Sequence, residues 1–283
     1  MRVSPRLILG TAQLCDSYGL ADSSVEKSGA DPAEFLQFAF QLGITSFDTA
    51  PSYGASERYL RTLDRSAEIH TKFHSGQNEV DSLHQSLQEL NRKNLTLVYF
   101  HTPEIAKGNS ERITKVREQV GSRVDHLGAS EYTLSGFEAA SEHPFIETIQ
   151  FPINLLNLRA IREVSKNGPH ETRIFARSVL GQGILSGVLP TLPAQLARQY
   201  STSVTGYARA CSTLGRSMSE VALVWVRDLP WVDSVIIGPS SFDELIQLWK
   251  AWMSDPLSPD ERSEVESHFE SISETYDPRS WNP

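Results

Sequence analysis

Apolar positions along the chain follow two alternating rhythms. Short β-branched or large apolar runs are separated by longer stretches in which apolar side chains return every three or four positions. Arg6-Leu7-Ile8-Leu9-Gly10 opens the series and reads as a strand. The stretch 29–43 follows as a helix, with Asp31-Pro32 as N-cap and first-turn proline and Phe35, Phe38, Ala39 and Leu42 on one face. The same reading places further strands at 45–48, 68–73, 95–101, 124–129, 148–151, 173–178 and 232–237. Between and after them it places helices at 56–63, 79–92, 110–120, 134–142, 157–166, 205–214, 219–228 and 242–252.

Strand followed by helix, repeated eight times with no break in composition, predicts an α/β chain folded as a (β/α)8 TIM barrel, one domain spanning 1–283. In such a barrel the site lies where the strands end, which gathers Gly10, Asp48, Lys72, His101, Ser130, Gln150, Ser178 and Gly238 into one neighbourhood. Two long connections interrupt the rhythm, 11–30 and 179–203, and loops of that length in a compact barrel are usually functional.

Charge narrows the partners. The 283 residues carry a formal net charge of −9, with no basic stripe to attract phosphates, so a nucleic-acid partner is not expected. Cys15 and Cys211 are too few for a disulfide framework or a zinc cluster. No apolar run approaches the ~20 residues that span a bilayer, and the N-terminus lacks the apolar stretch of a signal peptide, so a cytoplasmic protein acting on a small molecule is expected. His70 and His74 share a strand face with Lys72 between them, a poor arrangement for a metal, and no metal is expected. Trp249 and Trp252 stand at helical spacing and read as core, and the ending Trp281-Asn282-Pro283 reads as a frayed terminus.

The chemistry centres on Phe47-Asp48-Thr49-Ala50-Pro51-Ser52-Tyr53-Gly54. Pro51 and Gly54 force a turn after the strand, so Asp48 ends the strand and Tyr53 lies just beyond it. A tyrosine is a weak acid, with an ordinary pKa near ~10, and serves in proton transfer only when its surroundings are arranged for it. A lysine and a histidine duly end the next two strands, in Thr71-Lys72 and Phe100-His101-Thr102-Pro103. Singly, each of the four has a bland reading as cap, surface aromatic, solvated charge or strand end. Together they resemble the Asp-Tyr-Lys-His tetrad of the aldo-keto reductases. The resemblance runs from Leu9-Gly10-Thr11-Ala12 to the segment around Gly238, and the opening through Tyr18-Gly19-Leu20-Ala21 is similar to the bacterial branch often placed with sugar metabolism.

That resemblance implies reduction of an aldehyde or ketone by a nicotinamide cofactor. It makes Tyr53 the proton donor, Lys72 the cation that lowers its pKa, Asp48 the group that holds Lys72, and His101 the orienter of the carbonyl oxygen. It gives Ser130 and Gln150 to the cofactor's carboxamide, with Glu131 where many members have asparagine. It puts Arg177 where the family often stacks an aromatic on the nicotinamide; a guanidinium there can stack, and its charge favours the reduced ring. It assigns Ser178, Leu180, Gln182 and Gly183 to the pyrophosphate side, and Gly238, Ser240, Ser241 and Glu244 to the adenosine end. Family habit favours NADP(H), with NAD(H) also possible, because 238–247 holds no cation and Asp243 and Glu244 add negative charge. The alternative reading is a cofactor-binding barrel that acts as a sensor or subunit and turns over little.

Overall fold

A computed structural model describes residues 5–15, 24–101, 105–166, 171–187, 194–272 and 277. Its eight strands are β1 (Arg6–Gly10), β2 (Ser46–Asp48), β3 (Glu68–Lys72), β4 (Leu95–Phe100), β5 (Val124–Ser130), β6 (Thr148–Pro152), β7 (Arg173–Arg177) and β8 (Ser234–Ile237). Each pairs in parallel with its neighbours in sequence, and β8 returns to pair with β1, so the sheet closes. The helices α1 (Pro32–Gln41), α2 (Ser56–Leu60), α3 (Glu79–Glu89), α4 (Ser110–Val120), α5 (Leu134–Ser141) and α6 (Leu158–Lys166) join successive strands from β1 to β7. Two helices, α7 (Ala194–Thr213) and α8 (Met218–Arg227), bridge β7 and β8; α9 (Phe242–Trp252) and α10 (Pro259–Ser267) follow. This is the (β/α)8 barrel that the sequence rhythm predicts.

Side chains on a strand alternate between its two faces, so each strand supplies two cores. Leu7, Leu9, Val98, Phe100, Ile174, Ala176, Val235 and Ile237 face outward into the large core beneath the helices. Ile8, Leu97, Tyr99, Phe175 and Ile236 form a separate cluster inside the barrel. The register extends that inner set: Ile8 stands beside Ile236, Tyr99 beside Gly128, and Gln150 beside Phe175. Gly128 has no Cβ because Tyr99 fills its place; a Cβ there would lie 2.5 Å from the Tyr99 ring. His70 lies inside as well, and burial pushes its pKa down to about 3, so it is a neutral part of the packing. Trp249 packs against the core as expected, donating its ring N–H to the Leu42 carbonyl at 3.1 Å.

Several elements depart from the expected boundaries, among them the helices expected at 29–43 and 79–92, which run Pro32–Gln41 and Glu79–Glu89. The helix expected at 56–63 ends at Leu60. The connection expected at 179–203 instead holds a short 3-10 segment, Gly181–Ser186, and the first half of α7. The last helix, α10, was not expected; Ser258 and Glu261 cap it reciprocally, each side chain accepting from the other's backbone N–H. Residues 16–23 of the long first loop, Thr102 and Pro103, and the Trp281–Pro283 ending lie outside the described residues.

Candidate active site

The period-two rule that builds the inner core also builds the site. Counting by two from Ile8, Tyr99, Phe175 and Ile236 leads to Gly10, His101, Arg177 and Gly238 at the strand ends. Across the register Asp48 stands beside Gly10, Lys72 beside Tyr99, and Ser130 beside Gln150. Gly10, Asp48, Lys72, His101, Ser130, Gln150, Arg177 and Gly238 line one cavity at the C-terminal mouth of the barrel, together with Tyr53.

A buried ion pair forms its floor. Lys72 Nζ donates to Asp48 Oδ2 at 2.7 Å and to the Thr49 carbonyl at 2.8 Å, with Lys72 2% and Asp48 4% exposed. Burial of two charges is tolerable only when both are matched, and each has further polar contacts here. Gln150 Nε2 donates to the other carboxylate oxygen, Oδ1. The Asp48 backbone carbonyl accepts from the Thr11 amide at 2.9 Å and its hydroxyl at 3.1 Å. The pair is therefore held from side chain and backbone alike.

Tyr53 projects over this pair from the turn that Pro51 and Gly54 impose; Gly54 takes a left-handed φ of 58°. The Ser56 hydroxyl donates to the Tyr53 carbonyl at 2.7 Å and pins the turn. Lys72 Nζ lies 4.8 Å from the centre of the Tyr53 ring, beneath its π face. The resemblance implies that Lys72 lowers the tyrosine pKa; in the resting site other groups act on it more strongly. Burial, then the Asp48 carboxylate, push the Tyr53 pKa well above its ordinary value, while Arg177 opposes them.

His101 behaves as a neutral group. Burial and the nearby cations Lys72 and Arg177 push its pKa down to about 3. A neutral imidazole can still donate one ring N–H, which suits it to a carbonyl oxygen.

The rest of the cavity runs along the ends of β5 to β8. Ser130 opens onto it, and its hydroxyl has no hydrogen-bond partner among the described residues. Gln150 also lines it, although its amide nitrogen is committed to Asp48. Glu131, by contrast, does not line it. Its carboxylate turns toward the start of α5, where a Cβ on Gly136 would meet Oε2 at 2.3 Å. Arg177 lines the cavity, donates from Nη2 to the Glu131 carbonyl at 2.9 Å, and places its guanidinium carbon 3.9 Å from the centre of the Tyr132 ring. The sequence reading assigned no role to Tyr132. Its position two residues beyond Ser130 was the available signal.

Beyond β7 the backbone is strained where it borders the cavity. Ser178 (φ 54°) and Gln182 (φ 61°) take left-handed conformations without being glycine, which costs ~1–3 kcal/mol each. Buried Asn154 helps to hold this turn by donating to the Ser178 carbonyl at 2.9 Å. Gly181 and Gly183 supply the remaining left-handed positions, and Ser178, Leu180, Gln182 and Gly183 all border the cavity.

At the far end Glu244 does more than face solvent. Its Oε2 accepts from the Ser240 amide at 2.8 Å and the Ser240 hydroxyl at 2.9 Å, and both residues line the cavity. Ser241 does not; its hydroxyl caps α9 by accepting from the Glu244 amide at 3.2 Å.

Comparison with known proteins agrees with the fold. No curated protein matches the sequence. Among solved structures, the aldo-keto reductase AKR11C1 from Bacillus halodurans, in its holo form, superposes with a TM-score of 0.74 at 19% identity, covering 95% of both chains. The glycerol dehydrogenase AKR11B4 from Gluconobacter oxydans superposes with a TM-score of 0.70 at 20% identity, over 95% of this chain and 92% of its own. At such identities the likeness is one of fold. The model of the aldo/keto reductase family matches residues 6–270, nearly the whole chain, and the chain belongs to that family.

Proposed function

We propose that this oxidoreductase reduces an aldehyde or ketone to an alcohol with a reduced nicotinamide dinucleotide, and that Tyr53 protonates the oxygen. The observation that carries this reading is the buried Lys72–Asp48 pair under the Tyr53 ring, at one end of a cavity that continues to Ser240 and Glu244. Hydride arriving at a carbonyl carbon builds negative charge on the oxygen, and groups fixed in advance to meet that charge lower the barrier. Tyr53 keeps its proton until that charge appears, because burial and Asp48 disfavour the phenolate. As the oxygen becomes basic it draws on the tyrosine proton, and the Lys72 ammonium stands close enough to stabilise the phenolate left behind. Neutral His101 donates a hydrogen bond to the same oxygen.

The cavity fits the cofactor that the family uses. When bound, a reduced nicotinamide supplies the hydride. The unengaged Ser130 hydroxyl and the Gln150 amide suit its carboxamide, and the turn at Ser178 to Gly183 brings backbone close to a diphosphate. Glu244 already occupies the Ser240 donors that a ribose 2′-phosphate would need. NADP(H) remains the favoured cofactor with NAD(H) usable, the preference compressed to less than about a hundredfold.

Titration of the protein with NADPH and NADH, followed by turnover on a panel of aldehydes and ketones, tests the proposal. Tyr53→Phe should reduce turnover by about 10²–10⁴ while cofactor affinity stays within a few-fold. Near-normal turnover in that variant would remove Tyr53 from its role. Tight cofactor binding without turnover by the unaltered protein would mark a sensor or subunit instead.

A further inference from the structure

The feature that the reaction scheme leaves unused is Arg177. It ends β7 pointing into the barrel mouth and is 9% exposed. A guanidinium so deeply buried usually pairs with a carboxylate. Arg177 forms no ion pair with a described residue. Among the described residues its one hydrogen bond goes to a backbone carbonyl, that of Glu131, which carries no net charge, and its buried Nε–H meets no partner there. The Tyr132 ring, 3.9 Å away, fixes the guanidinium by its π face. The guanidinium is therefore rigidly mounted at the cavity, with no carboxylate of a described residue bonded to it. Its charge reaches the reaction centre, since it disfavours protonated His101 and favours ionised Tyr53.

On the reading that a nicotinamide occupies this cavity, we propose that Arg177 makes the site discriminate between the two oxidation states of that cofactor, keeping the uncharged reduced ring and expelling the cationic oxidised one. In the forward reaction the hydride goes to the carbonyl carbon and the Tyr53 proton to its oxygen, and the ring is left with one positive charge. Any ring close enough to deliver hydride beside Tyr53 lies near the guanidinium. Two like charges about 6 Å apart at an effective dielectric near 20 change a binding constant by about a hundredfold. At mixed cofactor concentrations the site fills with the reduced form, and the oxidised product leaves readily.

The test compares dissociation constants of the reduced and oxidised forms of one dinucleotide, by calorimetry at one ionic strength. The proteins are the unaltered chain, Arg177→Tyr, Arg177→Gln and Arg177→Lys, each checked for folding by circular dichroism. The unaltered chain should favour the reduced form by at least about tenfold. The two neutral variants should lose most of that ratio by binding the oxidised form more tightly, and Arg177→Lys should retain it. A ratio near one in the unaltered chain, which needs no variant to fold, overturns the proposal. So does an unchanged ratio in the neutral variants, including the case where only the KM of anionic carbonyl compounds rises, which would make Arg177 a substrate clamp. If the unaltered chain binds neither form, the reductase reading itself falls and the inference goes with it.

Discussion

At the scale of single residues, the Lys72–Asp48 pair and Glu244 carry the clearest consequences. Removing one partner of a buried pair leaves the other charge uncompensated, which costs several kcal/mol in stability. Lys72→Met should therefore lower both activity and stability, because Asp48 keeps only the Gln150 amide and its own backbone anchors. Asp48→Asn should cost less activity, since Lys72 stays bonded to the Thr49 carbonyl and stays under Tyr53. Steady-state rates and urea denaturation of both variants check the order, and equal losses in activity would contradict it. Glu244 yields a sharper expectation for the cofactor. One charge-assisted hydrogen bond contributes ~1.5–3 kcal/mol, and two such bonds tie Ser240 to Glu244. Glu244→Gln weakens that hold and removes the negative charge that would face a 2′-phosphate. The ratio of NADH to NADPH dissociation constants should rise by about tenfold, and no change would place the 2′-position elsewhere.

At the scale of elements, the strand ends were legible in the sequence because period-two alternation and the barrel rule act together. Asp48, Lys72, Ser130, Gln150 and Arg177 each stand where the inner face reaches the mouth. What stayed hidden was set by partners distant in sequence. Nothing local to Arg177 indicates that Tyr132 would mount it. The first half of α7 reads as loop in the sequence because Gly and Pro punctuate the segment just before it. The capping box of α10 was readable at Ser258 and Glu261, but the helix between them and Ser267 buries only Val265, too weak a stripe to signal itself. Elements also meet inside the barrel, where Gly128 makes room for Tyr99. Gly128→Ala would set its Cβ 2.5 Å from the Tyr99 ring and 2.8 Å from the Thr148 carbonyl. Overpacking of this kind costs ~1–3 kcal/mol or more. Adding Tyr99→Leu should restore only part of the loss, because the Thr148 contact is backbone; full recovery in thermal melts would mean that the ring alone sets the strain.

At the scale of the whole molecule, the barrel keeps two histidines neutral in its interior, and this makes folding itself sensitive to acid. His70 and His101 both have pKa values pushed down to about 3, mainly by burial. In the unfolded chain each would titrate near 6.5, so between pH 6.5 and 3 the unfolded state binds more protons than the folded one. Their contribution is fully present above pH 6.5 and is lost as the pH falls toward 3. From pH 7 to pH 5 the loss comes to about 2 kcal/mol per histidine, a large share of an ordinary domain's stability. Urea denaturation across that range should show a falling midpoint with nearly unchanged slope. His101→Gln should remove about one proton from the dependence, leaving His70 to supply the rest. His101 borders the cavity and His70 lies beneath it, so the surviving share measures how dry the barrel interior stays. A stability that does not change between pH 7 and pH 5 would mean that water reaches both rings.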